Sequence, residues 1–455
     1  MTRDDLFAGL PPEWPESPLE AIRSRLVESG ETLIVLDDDP TGTQTVYDLP
    51  VVTRLDREAI AQALAEKPPV LYLLTNSRSL TADQTRELHR ELGGILYELG
   101  QSRVISRSDS TLRGHYPLET DVLEASLGLS DSVTLLAPFF EAGGRLTRDD
   151  VHYVLEGDAA IPAHLTPFAS DPVFGFSHSK LPDYVEEKTN GRVPASDVET
   201  LSLDRIRLGG PEVIADLLVG MPHGSVVVAN AVTQRDIEVV AAGVSLADAA
   251  GKSVLARSAA SYVQACAGLP TREPLSKEAL QSSSPHGGLV VVGSHVPKTT
   301  TQLGFLLEQV PDWEQIELDV DQLLADGFPD ALQDKLNAAI GAGRHVVLFT
   351  SRKLTTGAGD AENLRISAKV SNALVRLVSH MPTPRFLVAK GGITSSDIAT
   401  KALQVRCATV RGAILPGVPV WQLGPETRFP GLSYVIFPGN VGSASALHDA
   451  VLKLT

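Results

Sequence analysis

Short, unbroken runs of β-branched and aliphatic residues recur along this chain, and they limit the folds open to it more than any other feature. They stand at TLIVL (32–36), VLYLL (70–74), SVTLLA (132–137), SVVVA (225–229), LVVVG (289–293), HVVLFT (345–350), RFLVA (385–389) and SYVIF (433–437). Each is bounded by turn residues and gives way to a longer stretch of helical periodicity, as in AENLRISAKVSNALVRLVSH (361–380). A strand with one wet face alternates apolar and polar side chains, whereas a strand covered on both faces does not. The runs therefore predict an α/β fold: largely parallel sheets flanked by helices, built from βαβ units.

One segment interrupts the rhythm. GLPTREPLSKEALQSSSPHGG (268–288) is rich in Gly, Pro and Ser and precedes a fresh strand, which predicts a linker. A boundary near 275–287 gives two domains, 1–275 and 276–455, both of ordinary size, with an interdomain cleft. The turn-rich stretch 157–200 is expected to decorate the first domain.

Composition then narrows the function classes. The chain carries 39 Lys and Arg against 56 Asp and Glu, a net charge of −17. That excludes a nucleic-acid partner, which demands a basic face. An anionic ligand must instead be met by local clusters of Arg and Lys. The two cysteines, Cys266 and Cys407, have no metal or disulfide spacing, which fits a reducing cytoplasm. No run approaches the roughly 18 apolar residues of a membrane span, and the polar, acidic MTRDDLFAGLPPEWPESP is no secretory signal. The expectation is a cytoplasmic protein without a membrane partner.

Open parallel sheets bind ligands beyond the carboxyl ends of their strands. The first run ends in LDDDPTGTQT (36–45), where Asp37, Asp38 and Asp39 raise one another's pKa unless cations or donors compensate. Either these carboxylates serve hydroxyl recognition, base catalysis or Mg2+ binding, or they cap a turn. The third strand runs into SRSDSTLRGHYPLE (106–119), crowding Arg107, Asp109, Ser110, Thr111 and Arg113 together, and Arg78 stands in TNSRSL (75–80) after the second strand. Arginine's planar fork suits a carboxylate or phosphate, although Arg and Asp in such a turn can also neutralise each other.

The second half repeats a strand followed by a glycine turn: Gly293-Ser294, then Gly391-Gly392-Ile393-Thr394-Ser395, then Gly439-Asn440. Backbone amides and hydroxyls delivered this way form a general phosphate cradle. AAGKSV (249–254) lacks the first glycine of a P-loop, and TTGAGDAE (355–362) resembles the anion-hole motif of ribokinase-like sugar kinases with Asp360 as base. His152 is a lone histidine for which a structural role is expected.

Together the motifs resemble the four-carbon acid sugar kinase family. The resemblance is carried by Asp38-Asp39-Pro40-Thr41-Gly42, by Asp109-Ser110-Thr111-Leu112-Arg113-Gly114, and by PFFEAGGRLTRDDVHYV (138–154). In the second half it continues through Gly293-Ser294, Gly391 to Ser395, Pro416-Gly417-Val418-Pro419 and Gly439-Asn440-Val441-Gly442, in order along nearly the whole chain. Asp37, Thr43-Gln44-Thr45 and Arg107 depart from the family pattern on the substrate side.

The resemblance implies phosphoryl transfer from ATP with Mg2+ to a hydroxyl of a small, four-carbon sugar acid. It implies Asp38 or Asp39 as base, and Asp37, Arg78, Arg107, Asp109 and Arg113 around the substrate. Ser294, Gly391, Gly392, Ile393, Thr394, Ser395, Gly417, Gly439 and Asn440 are expected at the nucleotide. The metal ligands, the particular acid and any homo-oligomer are left open. Two rival expectations are a non-catalytic two-lobed sugar-acid sensor and a ribokinase-like enzyme using Asp360.

Overall fold

A computed structural model describes residues 2–353, 355 and 360–455, the side chains of 360, 361 and 364 excepted. The core of TTGAGDAE, and the Asp360 side chain with it, lies outside the described residues. The chain divides into two compact units, Met1–Thr271 and Arg272–Thr455.

The N-terminal unit contains strands β1 (Leu33–Asp37), β2 (Leu49–Val52), β3 (Val70–Leu74), β4 (Val104–Arg107), β5 (Ser132–Ala137), β6 (Arg145–Arg148), β7 (Val151–Glu156), β8 (Ala159–Pro162), β9 (Glu199–Leu201), β10 (Ser225–Ala229) and β11 (Ser253–Ser258). Its main sheet runs β2-β3-β1-β4-β11-β5-β10-β9, with all neighbours parallel. The unbroken apolar runs are buried along their length, as in β1 and β3. The register aligns the strand ends that matter: Asp37 lies beside Leu74 on one side and Arg107 on the other, and Arg107 lies beside Ser258.

Strands β6, β7 and β8 form a separate antiparallel sheet. The sequence reading missed it because these strands are short, lack the long unbroken aliphatic runs of the main sheet and are joined by tight turns. Nor is the following stretch mere decoration. Val154, Ala163, Phe176, Leu181, Tyr184 and Val185 pack in one apolar cluster with Leu112 and Tyr116. Each such buried side chain stabilises the fold by roughly 1.5–3 kcal/mol, so this small layer clamps the loop after β4.

The C-terminal unit contains β12 (Leu289–Val292), β13 (Glu314–Leu318), β14 (Val346–Thr350), β15 (Leu387–Lys390), β16 (Cys407–Leu415), β17 (Val418–Leu423) and β18 (Ser433–Phe437). In the order β13-β14-β12-β15-β18-β17-β16, the first five are parallel and the last two antiparallel. The hairpin of β16 and β17 turns at Pro416-Gly417. Its first strand buries only alternate residues, Ala408, Val410, Gly412 and Ile414, so a search for unbroken runs passes over it.

Part of the expected linker is docked on this unit. Leu275 and Leu280 are buried in a cluster with Val290, Val292, Phe437 and Leu447, and Leu275 N–H donates to Ala413 O at 2.8 Å. Among the described residues no helix is long and apolar enough to cross a membrane.

Candidate active site

In the N-terminal unit the strand register determines the site. Because β1 and β4 pair Asp37 with Arg107, the guanidinium reaches both Asp37 Oδ1 at 3.2 Å and Asp38 Oδ1 at 3.4 Å. Arg78, from the turn after β3, contacts Asp39 Oδ2 at 2.6 Å, Asp109 Oδ1 at 3.1 Å and Asp38 Oδ1 at 3.7 Å. Arg113 Nε completes the rail by donating to Asp109 Oδ2 at 2.8 Å. The three arginines and four aspartates named in the sequence reading are thus brought together, and they spend most of their charge on one another.

The three consecutive aspartates differ in kind. Asp37 lies beneath the turn Pro40–Thr43: a Cβ on Gly42 would fall 2.1 Å from both its carboxylate oxygens. Only glycine leaves room for that carboxylate, which supports the turn rather than facing outward. Asp39 caps the turn, accepting from Thr41 N–H at 2.8 Å and Thr41 Oγ1 at 2.5 Å. Asp38 is buried, and its Oδ2 has no partner among the described residues.

Their proton affinities follow. Burial pushes Asp37 up to about 7 against the pull of Arg107. Burial likewise pushes Asp38 up to about 6 despite Arg78 and Arg107. At Asp39 burial acts the same way, but Arg78 and the Thr41 hydrogen bonds prevail and hold the carboxyl below its usual range. Burial also opposes ionisation of Asp109, and Arg113 and Arg78 overcome it by a wide margin.

The loop from Asp109 to Gly114 is fixed through its carbonyls. His152 Nε2 donates to Ser110 O at 2.8 Å, Tyr184 Oη to Leu112 O at 2.8 Å, and Arg257 Nη2 to Arg113 O at 2.7 Å. His152 Nδ1 accepts from Thr147 Oγ1 at 2.9 Å, and burial lowers the imidazole to about 4, so it is neutral. Its role is structural, as its isolation in the sequence suggests. Such anchoring holds Asp109 and Arg113 in place before any ligand arrives.

In the C-terminal unit the three glycine turns converge on Ser294. A Cβ on Gly391 would come within 2.9 Å of Ser294 Cβ, one on Gly439 within 3.1 Å of Ser294 Oγ, and one on Gly293 within 2.3 Å of Thr394 Oγ1. Gly417 sits apart from Ser294 and packs against Val441 of the last turn. Ser395 is buried with Oγ on Ala389 O, so it holds the turn together, while Ile393 and Asn440 are exposed. The helix Gly392–Asp397 is short and its dipole correspondingly small. The charge at these turns comes from side chains.

Those side chains were missed in the sequence. Lys390, the last residue of β15, is fully buried, donates to Pro438 O at 2.7 Å and lies 4.1 Å from the Phe437 ring centroid. Arg352, just after β14, donates from Nη2 to Ser294 O at 2.6 Å, while its Nε and Nη1 are buried without partners among the described residues. His295 Nδ1 is likewise buried and unpartnered. None of these, nor the nearby Lys298, has a carboxylate partner among the described residues. Burial lowers Lys390 to about 7, with Lys298 adding to it, and lowers Arg352 and His295 as well. A cation closing a buried strand, directly ahead of a glycine pair, was the available signal. Beside these turns is a cavity of about 320 Å3, lined by Val320, Ile366, Val370, Leu374, Ser367 and Ser371.

Residues 33–266 match a sugar-binding N-terminal domain and residues 289–447 a nucleotide-binding C-terminal domain. The chain is 30% identical over 165 residues to a D-threonate kinase of Bordetella bronchiseptica, spanning 35% of this chain and 38% of that protein. It is 26% identical over 366 residues to a D-threonate kinase of Cupriavidus necator, spanning 78% of this chain and 80% of the other. A solved structure of a Haemophilus influenzae protein shares the fold, with a TM-score of 0.65 at 17% identity over 93% of this chain and 100% of that one. With both domains matched in order over most of its length, the chain belongs to the four-carbon acid sugar kinase family.

Proposed function

We propose that this chain is an ATP-dependent kinase that phosphorylates a hydroxyl of a small sugar acid. Relatives named D-threonate and D-erythronate kinases make four-carbon acids the first candidates. The observation that carries the reading is that Lys390 and Arg352, near Ser294, have no carboxylate partner among the described residues of an otherwise acidic chain. A polyphosphate supplies the missing anion, and glycines at three turns let those turns close on one another around Ser294 and Thr394. The adjoining cavity has the size and apolar lining suited to a base and its sugar. A sugar-acid sensor without catalysis would leave this cradle unused.

On the substrate side, Asp38 is the stronger candidate for base. Asp39 has both oxygens engaged and a lowered pKa, whereas Asp38 keeps Oδ2 free and titrates at about 6. That oxygen can accept the proton of an attacking hydroxyl, although most of the rate in such reactions comes from positioning and charge stabilisation. Arg78 and Arg107 keep Asp38 oriented and limit how far its pKa climbs. Mg2+ carried by the nucleotide neutralises charge on the phosphate oxygens. Arg352, Lys390 and His295 then orient and desolvate those oxygens.

Thermal unfolding with and without ATP and Mg2+ tests the nucleotide half of this reading. A ligand at 100 times its Kd stabilises by about 2.7 kcal/mol, which raises the unfolding temperature by several degrees. An unchanged temperature at millimolar nucleotide would sink it.

A further inference from the structure

We infer that Arg145 reads the carboxylate of the sugar acid, with Arg113 and Phe168 completing the subsite. The inference rests on the sugar-acid reading above and names a residue that the sequence patterns did not single out for this task. It starts from how the cations of the N-terminal unit are used. Arg78 is spent on Asp39 and Asp109, Arg107 on Asp37 and Asp38, and Arg113 on Asp109, with Asp171 at 3.6 Å. These pairs leave little positive charge for a ligand.

Arg145 differs. Its guanidinium has no ion pair and no hydrogen bond among the described residues, and its Nε is buried without a partner. It lies 5.7 Å from the Phe168 ring centroid, and the Arg113 guanidinium lies 5.0 Å from the same centroid. Two like charges on one ring repel each other, and a buried guanidinium nitrogen without a partner is unfavourable. Burial, the largest influence, and neighbouring Arg113 weaken Arg145's hold on its proton against the opposing pull of Asp109. An anion placed between the two guanidiniums relieves both costs.

The local backbone supports that placement. Arg145 opens β6, where its N–H donates to Phe140 O at 2.9 Å. Two residues earlier, a Cβ on Gly143 would fall 2.4 Å from the Phe140 ring and 3.2 Å from Arg145 Nη1, so glycine there lets the ring and the guanidinium pack over the same backbone. Counting from Asp39, the rail runs through Arg78 and Asp109 to Arg113, and Arg145 extends it. An extended acid can therefore present its hydroxyl to the aspartate end and its carboxylate to the Arg145 end. A planar fork matches a carboxylate in two parallel hydrogen bonds. A polyol or aldose would leave that fork unpaired, which makes Arg145 a determinant of acid over neutral sugar.

The test compares the wild type with Arg145→Gln and Arg145→Lys in steady-state phosphorylation of sugar acids and their neutral polyol counterparts. Losing a charge-assisted bond weakens binding by about 10- to 100-fold. R145Q should raise KM for the acid by that factor, erase the preference over the polyol, and leave the thermal shift by ATP unchanged. R145K keeps the charge without the fork and should show a smaller rise, which covers the case of R145Q failing to fold. If the wild type turns over a sugar acid and both soluble variants keep its KM, the assignment alone falls. If the wild type binds ATP and turns over no sugar acid, the assignment falls together with the sugar-acid reading.

Discussion

The two units treat charge in opposite ways. Around Asp37 to Asp39, Arg78, Arg107 and Arg113 each have a carboxylate within reach and each aspartate a guanidinium, with Arg145 and Arg257 the exceptions among the described residues of this region. Around Ser294, Lys390, Arg352 and His295 have no carboxylate partner among the described residues, and two of them have buried nitrogens without partners. A paired network is rigid and near neutral, suited to hydroxyls and to one small anion. Cations without carboxylate partners suit a highly charged anion. On the proposed reading, the contrast separates a unit that reads the sugar from one that holds the phosphates.

The sharpest way to break the contrast is Asp38→Asn. Loss of a positioned base lowers turnover by about 10²- to 10⁴-fold. It should leave the thermal shift by ATP intact, because the C-terminal cradle is untouched. Near-full activity in D38N would remove Asp38 from the chemistry. Next in size is Arg352→Gln, which should weaken ATP binding by about 10- to 100-fold, the worth of a charge-assisted bond. Isothermal titration reads this directly, and an unchanged Kd would mean that the unpartnered nitrogens do not meet phosphate.

Two pH effects probe the same contrast from each side. Asp38 must be ionised to accept a proton, and its folded pKa is about 6. Turnover should fall as pH drops through that value and level off above it; a profile flat down to pH 4.5 would contradict this. Lys390 must be protonated to meet phosphate, and its pKa is about 7. ATP affinity should therefore decline as pH rises above 7, by less than about tenfold per pH unit. In Lys390→Met that dependence should flatten, and its persistence would assign it elsewhere.

The smallest effect is expected at Tyr184→Phe. It leaves Leu112 O without its donor, which costs about 1–3 kcal/mol of stability. It should loosen the Asp109 to Gly114 loop and raise KM for sugar acid modestly, with ATP binding unchanged. Equal unfolding temperatures for Y184F and wild type would show that the loop is held by other means.

How much of this was legible in the sequence depended on spacing. The buried parallel strands announced themselves as unbroken runs, and the residues closing β1 and β4 stood together because chain order places them at strand ends. The pairing of Asp37 with Arg107 was not readable, since it depends on the register of strands distant in sequence. For the same reason the sequence could not separate the three aspartates: Asp37 lies under the turn against Gly42, Asp39 caps it, and Asp38 lies between Arg78 and Arg107. The β6–β8 layer escaped because its strands are short, and β16 because it buries only alternate residues. Lys390 and Arg352 escaped because their significance lies in what does not pair with them.

The most direct test of this division of labour is product detection. Purified protein would be incubated with ATP, Mg2+ and a panel of small sugar acids, and the products identified by mass spectrometry and phosphorus NMR. The account predicts one phosphorylated acid formed in equal amount to ADP, with the neutral polyols left unmodified. Tight binding of a sugar acid with no phosphorylated product at any nucleotide concentration would contradict it.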